Sequence, residues 1–254
     1  VVLYRLYGSL LAIVISQTLM FFVTLIFVVK SDWFYLHNFV RGIDYDSIGK
    51  LSKFSIMAIA TAVTYPVSQI IVRNYIADHV SLDAAGYWQG VWKISEVYLL
   101  VITTSLSVYY LPRLSEITDR YELKNEIISG YKLLMPIVIV LATAIYFART
   151  PIIYILFSSE FIQMADLFVF QLTGDVLKIA SWLLSFLMVA KAMTKQYVFT
   201  EIVFTASFVF LSIIFINKFG VVGATYAFSA NYLLYFIAMV YLFRKLVFSE
   251  TSWR

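Results

Sequence analysis

Stretches of apolar residues long enough to cross a bilayer recur along almost the whole of this chain, and that feature narrows its folds more than any other. About 20 apolar residues span the hydrocarbon core as a helix. Each backbone N–H and C=O at that depth needs a partner, which a helix supplies from within itself. Seven segments qualify, at about 8–29, 52–72, 84–111, 133–147, 167–190, 196–216 and 221–243. Composition agrees: 13% of residues are charged, half the roughly 25% of an ordinary soluble domain. Hydrophobic residues make up 62% and the mean hydropathy is +0.86. The expected fold is all-α, a polytopic membrane helix bundle of about seven transmembrane helices. The net charge of +4 is small, and nucleic acid is a poor explanation for it in so apolar a chain.

Basic residues set the expected orientation. Connections on one side hold Lys30, Arg41, Lys50, Lys53, Arg113, Arg120, Lys124, Lys132, Lys191, Lys195, Arg244, Lys245 and Arg254, while the other side holds Arg5, Arg73, Arg149 and Lys218. The positive-inside rule makes the first side cytoplasmic, which places the C-terminus inside and Val1 outside. Segments 30–51 and 112–132 read as charged loops, with His37 and His79 in loops as well. Segment 148–166 reads as a third connection, whose apolar residues 152–157 after Pro151 are suited to the membrane interface. Pro66 is expected to kink the second span.

Asp175 and Lys178 lie about one turn apart inside the fifth apolar segment. Charges at that depth cost roughly 2.5–3.5 kcal/mol each, so such a pair faces protein or a hydrated cavity. Gln171, Asp175, Lys178, Trp182 and Ser185 recur at spacings of four and three, which puts them on one helix face. The third span carries a second stripe of Gly86, Gln89, Lys93, Glu96, Thr103 and Ser107. The sixth adds Glu201, Thr205 and Ser212, and the second Thr61, Thr64 and Ser68. Four helices with a polar face each point to one shared hydrophilic cavity.

Structural explanations compete with this one. A Lys–Glu or Asp–Lys pair can neutralise itself or tie helices together. Glu201, a turn or so inside its helix, reads as an interfacial carboxylate. Thr61, Thr64 and Ser68 suit local backbone bonds or close packing. Gly220, Gly223, Ala224 and Ala227 have the spacing of helix contact. Most Trp and Tyr side chains fit an interface belt, with Trp88, Trp92 and Trp182 near the charges as candidates for stacking on a sugar. The absence of cysteine excludes disulfides and thiolate metal sites. No HExxH, P-loop or GxSxG pattern occurs, so neither a catalytic constellation nor a cofactor is expected.

The stretches LSKFSIMAIATAVTYPVSQIIVR, GYWQGVWKISEVYL, SVYYLPRLSEITDR, FVFQLTGDVLKIASWLLSFLMVAKAM and FGVVGATYAFSANYLLYF resemble the bacterial polysaccharide flippases of Wzx type. These are the O-antigen and enterobacterial-common-antigen translocases of the multidrug/oligosaccharidyl-lipid/polysaccharide exporter superfamily. The resemblance runs in order over essentially the whole chain. It implies about twelve helices in two six-helix lobes around a central cavity. Residues 1–50 would then be the last helix of the N-terminal lobe with the cytoplasmic inter-lobe loop, and 51–254 the six-helix C-terminal lobe. Five helices would precede them.

The activity so implied is transfer of an undecaprenyl-diphosphate-linked oligosaccharide from the cytoplasmic to the outer leaflet of a bacterial inner membrane. Lys93 and Lys178, with Arg73 at the outer mouth, would attract the diphosphate, and Asp175 and Glu96 would restrain or release it. Gln89 and Gln171 complete the expected cavity set, and other polysaccharide-assembly proteins are candidate partners. Asp175 and Lys178 match the family's GDxLK-like segment, whereas Lys93 falls where relatives carry a small polar residue. Two alternatives stay open. A drug or cation antiporter of the same superfamily would favour a net acidic cavity, against the two lysines. A membrane polymerase would need a large polar external loop.

Overall fold

The computed structural model describes residues 2–31, 34, 45–244 and 246. It divides into two compact units, Val1–Gly49 and Lys50–Arg254. The first holds α1 (Val2–Val29), a 28-residue apolar helix, and the opening residues of α2. The second holds α2 (Tyr45–His79) beyond Gly49, α3 (Leu82–Ser105), α4 (Arg120–Leu156), α5 (Phe168–Ala190), α6 (Thr194–Phe219) and α7 (Val222–Leu242). Among the described residues, seven helical segments are long and apolar enough to cross a membrane, in the order and near the positions expected.

The helices outrun the apolar runs. At 1.5 Å per residue the 37 residues of α4 extend roughly 55 Å, well beyond a hydrocarbon core of about 30 Å. The expected loop at 112–132 is therefore corrected to helix on both sides of a short break. Leu111–Glu116 is helical, and α4 starts at Arg120 with the Asp119 carboxylate accepting from the Glu122 N–H at 2.8 Å. Across the break Arg113 pairs with Glu122 at 2.9 Å and Glu126 at 3.8 Å. Charge marked these residues as a loop, but charged residues can extend a helix beyond its apolar run.

Segment 148–166 is corrected in the same way. Residues 152–156 continue α4 through Pro151, and Ile153 is fully buried. Arg149 donates to the Tyr146 carbonyl at 2.6 Å, next to the Phe147 carbonyl that Pro151 leaves without its helical donor. A 3-10 helix, Ser159–Leu167, then leads into α5. His79 closes the last turn of α2, not a loop, and His37 lies outside the described residues.

Between α3 and Leu111–Glu116 runs a π-helical turn, Leu106–Tyr110, in which the Leu111 N–H reaches back five residues to the Leu106 carbonyl. Ser105 and Ser107 bond their own helix at Val101 and Thr103 beside it, and Pro112 follows. Hydroxyl back-bonding and a nearby proline are what loosen a helical ladder locally.

α5 is the axis of the second unit: 67% of its span is buried, against 17–39% for the other spans of that unit. Its contact with α7 is close. Gly174 faces the Phe228 ring, Ser229 donates to the Phe170 carbonyl, and Ser181 reaches the Tyr232 carbonyl at 3.4 Å. The Gly223, Ala224 and Ala227 contact is as expected, with both alanines fully buried. Gly220 differs. Nothing lies near its Cβ position, and φ of +65° makes it the turn residue that ends α6.

Two inter-helix bonds show which connections share an end of the unit. Lys191 donates to the Ile117 carbonyl at 2.5 Å, joining the α5–α6 turn to the break before α4. Tyr75 donates to Asn217 at 2.9 Å, joining the far end of α2 to the α6–α7 turn. The connections around Ile117 and Lys191 thus share one end of the unit, and those around Tyr75 and Asn217 another.

Candidate functional site: a polar-lined cavity

α2, α3, α5 and α6 surround one cavity of about 740 Å³, with α7 closing it. Most of its wall is apolar or aromatic, as in ordinary ligand sites. Three charged side chains reach it: Glu96 from α3, Lys178 from α5 and Glu201 from α6. Thr61, Ser68, Thr103, Ser107, Ser185, Thr200, Thr205 and Asn231 add polar groups.

The α5 stripe divides by depth. Lys178, Trp182 and Ser185 line the cavity. Gln171 and Asp175, 1% and 0% exposed, lie behind the wall. Asp175 Oδ2 accepts from the Tyr98 hydroxyl at 2.9 Å, and Oδ1, with Ser95 and Gln171 nearby, has no hydrogen bond of ordinary geometry. Gln171 sits a turn away in electrostatic contact with Asp175, but neither amide atom completes a hydrogen bond of ordinary geometry. Lys178 and Asp175 are within electrostatic reach but form no direct ion pair. The Lys178 ammonium instead stands 4.8 Å from the centroid of the Trp182 ring. A cation held over a ring, and not clamped by a carboxylate, keeps its hydrogen-bond donors for an incoming anion.

The α3 stripe divides by direction. Glu96, Thr103 and Ser107 line the cavity, but Gln89 and Lys93 are exposed away from its wall. Lys93 donates to Glu96 Oε2 at 2.5 Å, so its contact with the cavity wall is through that carboxylate. The other Glu96 oxygen accepts from Tyr65 at 2.7 Å, and Trp92 Nε1 donates to the Tyr65 hydroxyl at 2.8 Å. This chain of bonds ties α3 to α2 across the cavity. Arg73 is exposed on α2 and is not part of the lining. Trp92 and Trp182 line the cavity, whereas Trp88 is 1% exposed within the apolar core.

Glu201 joins the cavity lining, which its position near a helix start did not suggest: it accepts from Thr64 at 3.1 Å. Beside it Thr61 and Tyr197 share a hydrogen bond of 2.8 Å. The threonines of α2 thus bond across to α6 as well as locally. With Lys93 outside and Glu201 inside, the fixed charges of the wall are one cation and two carboxylates, so the two-lysine argument against an acidic cavity fails. From α7, Phe228, Asn231, Tyr232 and Tyr235 also line the cavity, and no polar periodicity in that helix announced them.

Tyr98→Phe is expected to lower stability by about 1–3 kcal/mol, because it strips the enclosed Asp175 carboxylate of its tyrosine donor. Thermal unfolding of the detergent-purified protein measures this. An unchanged midpoint would mean that water or another group serves Asp175.

Fold and site together define a multi-pass helical membrane protein with a polar-lined cavity. Over 230 residues the chain is 37% identical to a protein named Lipid III flippase from Escherichia coli (strain K12), and equally to one of that name from Shigella flexneri. The match takes in 90% of this chain and 55% of each relative, so the chain spans about half the length of the curated relatives it matches. No family model matches the chain, and no solved structure matches it significantly.

Proposed function

We propose that this chain is the C-terminal part of a Wzx-type polysaccharide flippase of the bacterial inner membrane, with its C-terminus cytoplasmic. In this reading it moves an undecaprenyl-diphosphate-linked oligosaccharide from the cytoplasmic to the periplasmic leaflet, for O-antigen or a related surface polysaccharide. Residues 51–254 form the C-terminal lobe, and residues 1–50 the last helix of the other lobe with its connecting loop. The identity to two proteins named as flippases carries the proposal. It also favours a flippase over a drug or cation antiporter or a polymerase, a choice that cavity charge alone does not make.

The physics of the cargo supports the same reading. A polyprenyl tail is at home in lipid, while sugar and diphosphate need a hydrated path with donors for anionic oxygens. Lys178 supplies such donors near the middle of α5, next to Trp182. Glu96 and Asp175, both within electrostatic reach of Lys178, oppose permanent capture of the anion. Rocking of two related lobes would alternate access to the cavity. Arg73, Gln89 and Lys93 stand outside the cavity wall, so in this proposal they act before or after the enclosed step.

Expression of the full-length protein in cells lacking their own flippase for the same glycan is the test. Surface glycan should return. Polymerisation of lipid-linked repeats by the purified protein alone would replace this reading with an enzymatic one.

A further inference from the structure

The cavity has two chemically different walls. On α5 stands a cation, Lys178, in electrostatic reach of Glu96 and Asp175. On α2 and α6 stands Glu201, which no described basic residue pairs, among hydroxyl groups. Adjacent to it Phe204 and Tyr235 stand tilted to each other at 57° with ring centroids 4.8 Å apart, and both line the cavity. A carboxylate repels a diphosphate, so this wall is unsuited to the anionic end of a lipid-linked glycan. It suits a polyol. The two oxygens of one carboxylate can accept from two neighbouring hydroxyls of a sugar ring. Aromatic rings can cover the apolar C–H face of the same sugar. Thr61 and Tyr197, bonded to each other at 2.8 Å, offer further donors and acceptors.

We propose that the α2–α6 wall, with Tyr235 of α7 beside it, is a carbohydrate subsite, in which Glu201 accepts from adjacent sugar hydroxyls and Phe204 and Tyr235 pack the sugar's apolar face. This rests on the flippase reading and adds a division of labour to it: Lys178 takes the diphosphate and Glu201 the glycan. A site built to bond hydroxyls discriminates strongly against a ligand that lacks them, because its own polar groups are then left unpaired.

The experiment compares binding of two probes to the purified full-length protein in nanodiscs: undecaprenyl diphosphate, and undecaprenyl-diphosphate-linked N-acetylglucosamine. The unaltered protein should prefer the glycosylated lipid. Glu201→Ala should erase about tenfold or more of that preference, the worth of a hydrogen bond to a charged group, and leave the bare lipid unaffected. Glu201→Gln, which keeps one acceptor oxygen, should fall between. Lys178→Met should weaken both lipids by the same factor. Equal losses for both lipids in Glu201→Ala, or no loss for either, would overturn the subsite while the flippase reading stood. An effect of Glu201→Ala seen in sodium but absent in choline would assign the carboxylate to a cation and also overturn it. If the unaltered protein bound neither lipid, the flippase reading itself would fall, and the subsite with it.

Discussion

Replacing Lys178 by methionine should abolish glycan export while leaving the protein folded in the membrane. Lys178 is a cavity-lining cation 8% exposed, and its ammonium rests over Trp182 with no direct carboxylate partner. Burying a charge is costly, and a purely structural lysine would be held in an ion pair that offsets the cost. Methionine keeps much of the stem's packing and removes the desolvation cost, so membrane abundance should hold. Asp175 requires more care. It is fully enclosed with one oxygen unpartnered, so removing Lys178 alone leaves it without the nearby cation. The double variant Asp175→Asn with Lys178→Gln removes both charges and separates the two explanations. If the residues form a neutral structural pair, the double variant should fold and export normally. If Lys178 receives the diphosphate, it should fold and export nothing. Surface glycan is read beside membrane abundance, and near-normal glycan in a well-expressed double variant would refute the assignment.

Gly174→Val and Gly223→Ala should each sharply reduce the folded protein recovered. A Cβ at Gly174 would lie 2.3 Å from a Phe228 ring carbon and 3.3 Å from the Ser229 Cα. That ring could yield only by breaking its aromatic contacts and swinging into the cavity it lines. It is 2% exposed and packs edge-on against Trp92 at 4.9 Å and Tyr232 at 4.9 Å. At Gly223 the obstacle is backbone: a Cβ would stand 2.1 Å from the Phe215 carbonyl oxygen, across the α6–α7 turn. Overpacking typically costs about 1–3 kcal/mol, and clashes with backbone belong at the upper end. Gly86→Ala is the control, since its new methyl would meet Phe161 at an ordinary 3.9 Å. Detergent-stable protein should fall steeply for the first two variants and hardly change for the control. Equal recovery of all three would mean that the helices separate more easily than these contacts allow.

The physics of each element explains why the sequence disclosed some features and concealed others. Hydropathy reports what is buried in lipid, so all seven spans were legible, while the helical turns beyond the bilayer at 111–116 and 120–132 looked like loops. Spacing of three and four reports a helix face. It therefore found Lys178, Trp182 and Ser185 together, and Glu96 with Thr103 and Ser107. It does not report depth within that face or where a long stripe turns outward. Asp175 and Gln171 thus proved to lie behind the wall, and Gln89 and Lys93 outside it. The cavity-lining position of Glu201 was not legible, because counting from the helix start says nothing of what the side chain faces. Its partners Thr61, Thr64 and Tyr197 come from distant sequence, and only the tertiary fold brings them together. The π-turn at Leu106–Tyr110 left no mark beyond the Ser-rich approach and Pro112.

Leaflet transfer in reconstituted vesicles tests the central claim most directly. The full-length protein is incorporated into liposomes carrying fluorescent undecaprenyl-diphosphate-linked N-acetylglucosamine, and a membrane-impermeant quencher reports the leaflet occupied. The account predicts protein-dependent exchange of the lipid between leaflets that is lost in Lys178→Met at equal protein incorporation. Exchange no faster than in protein-free vesicles, or exchange unaffected by Lys178→Met, would contradict it.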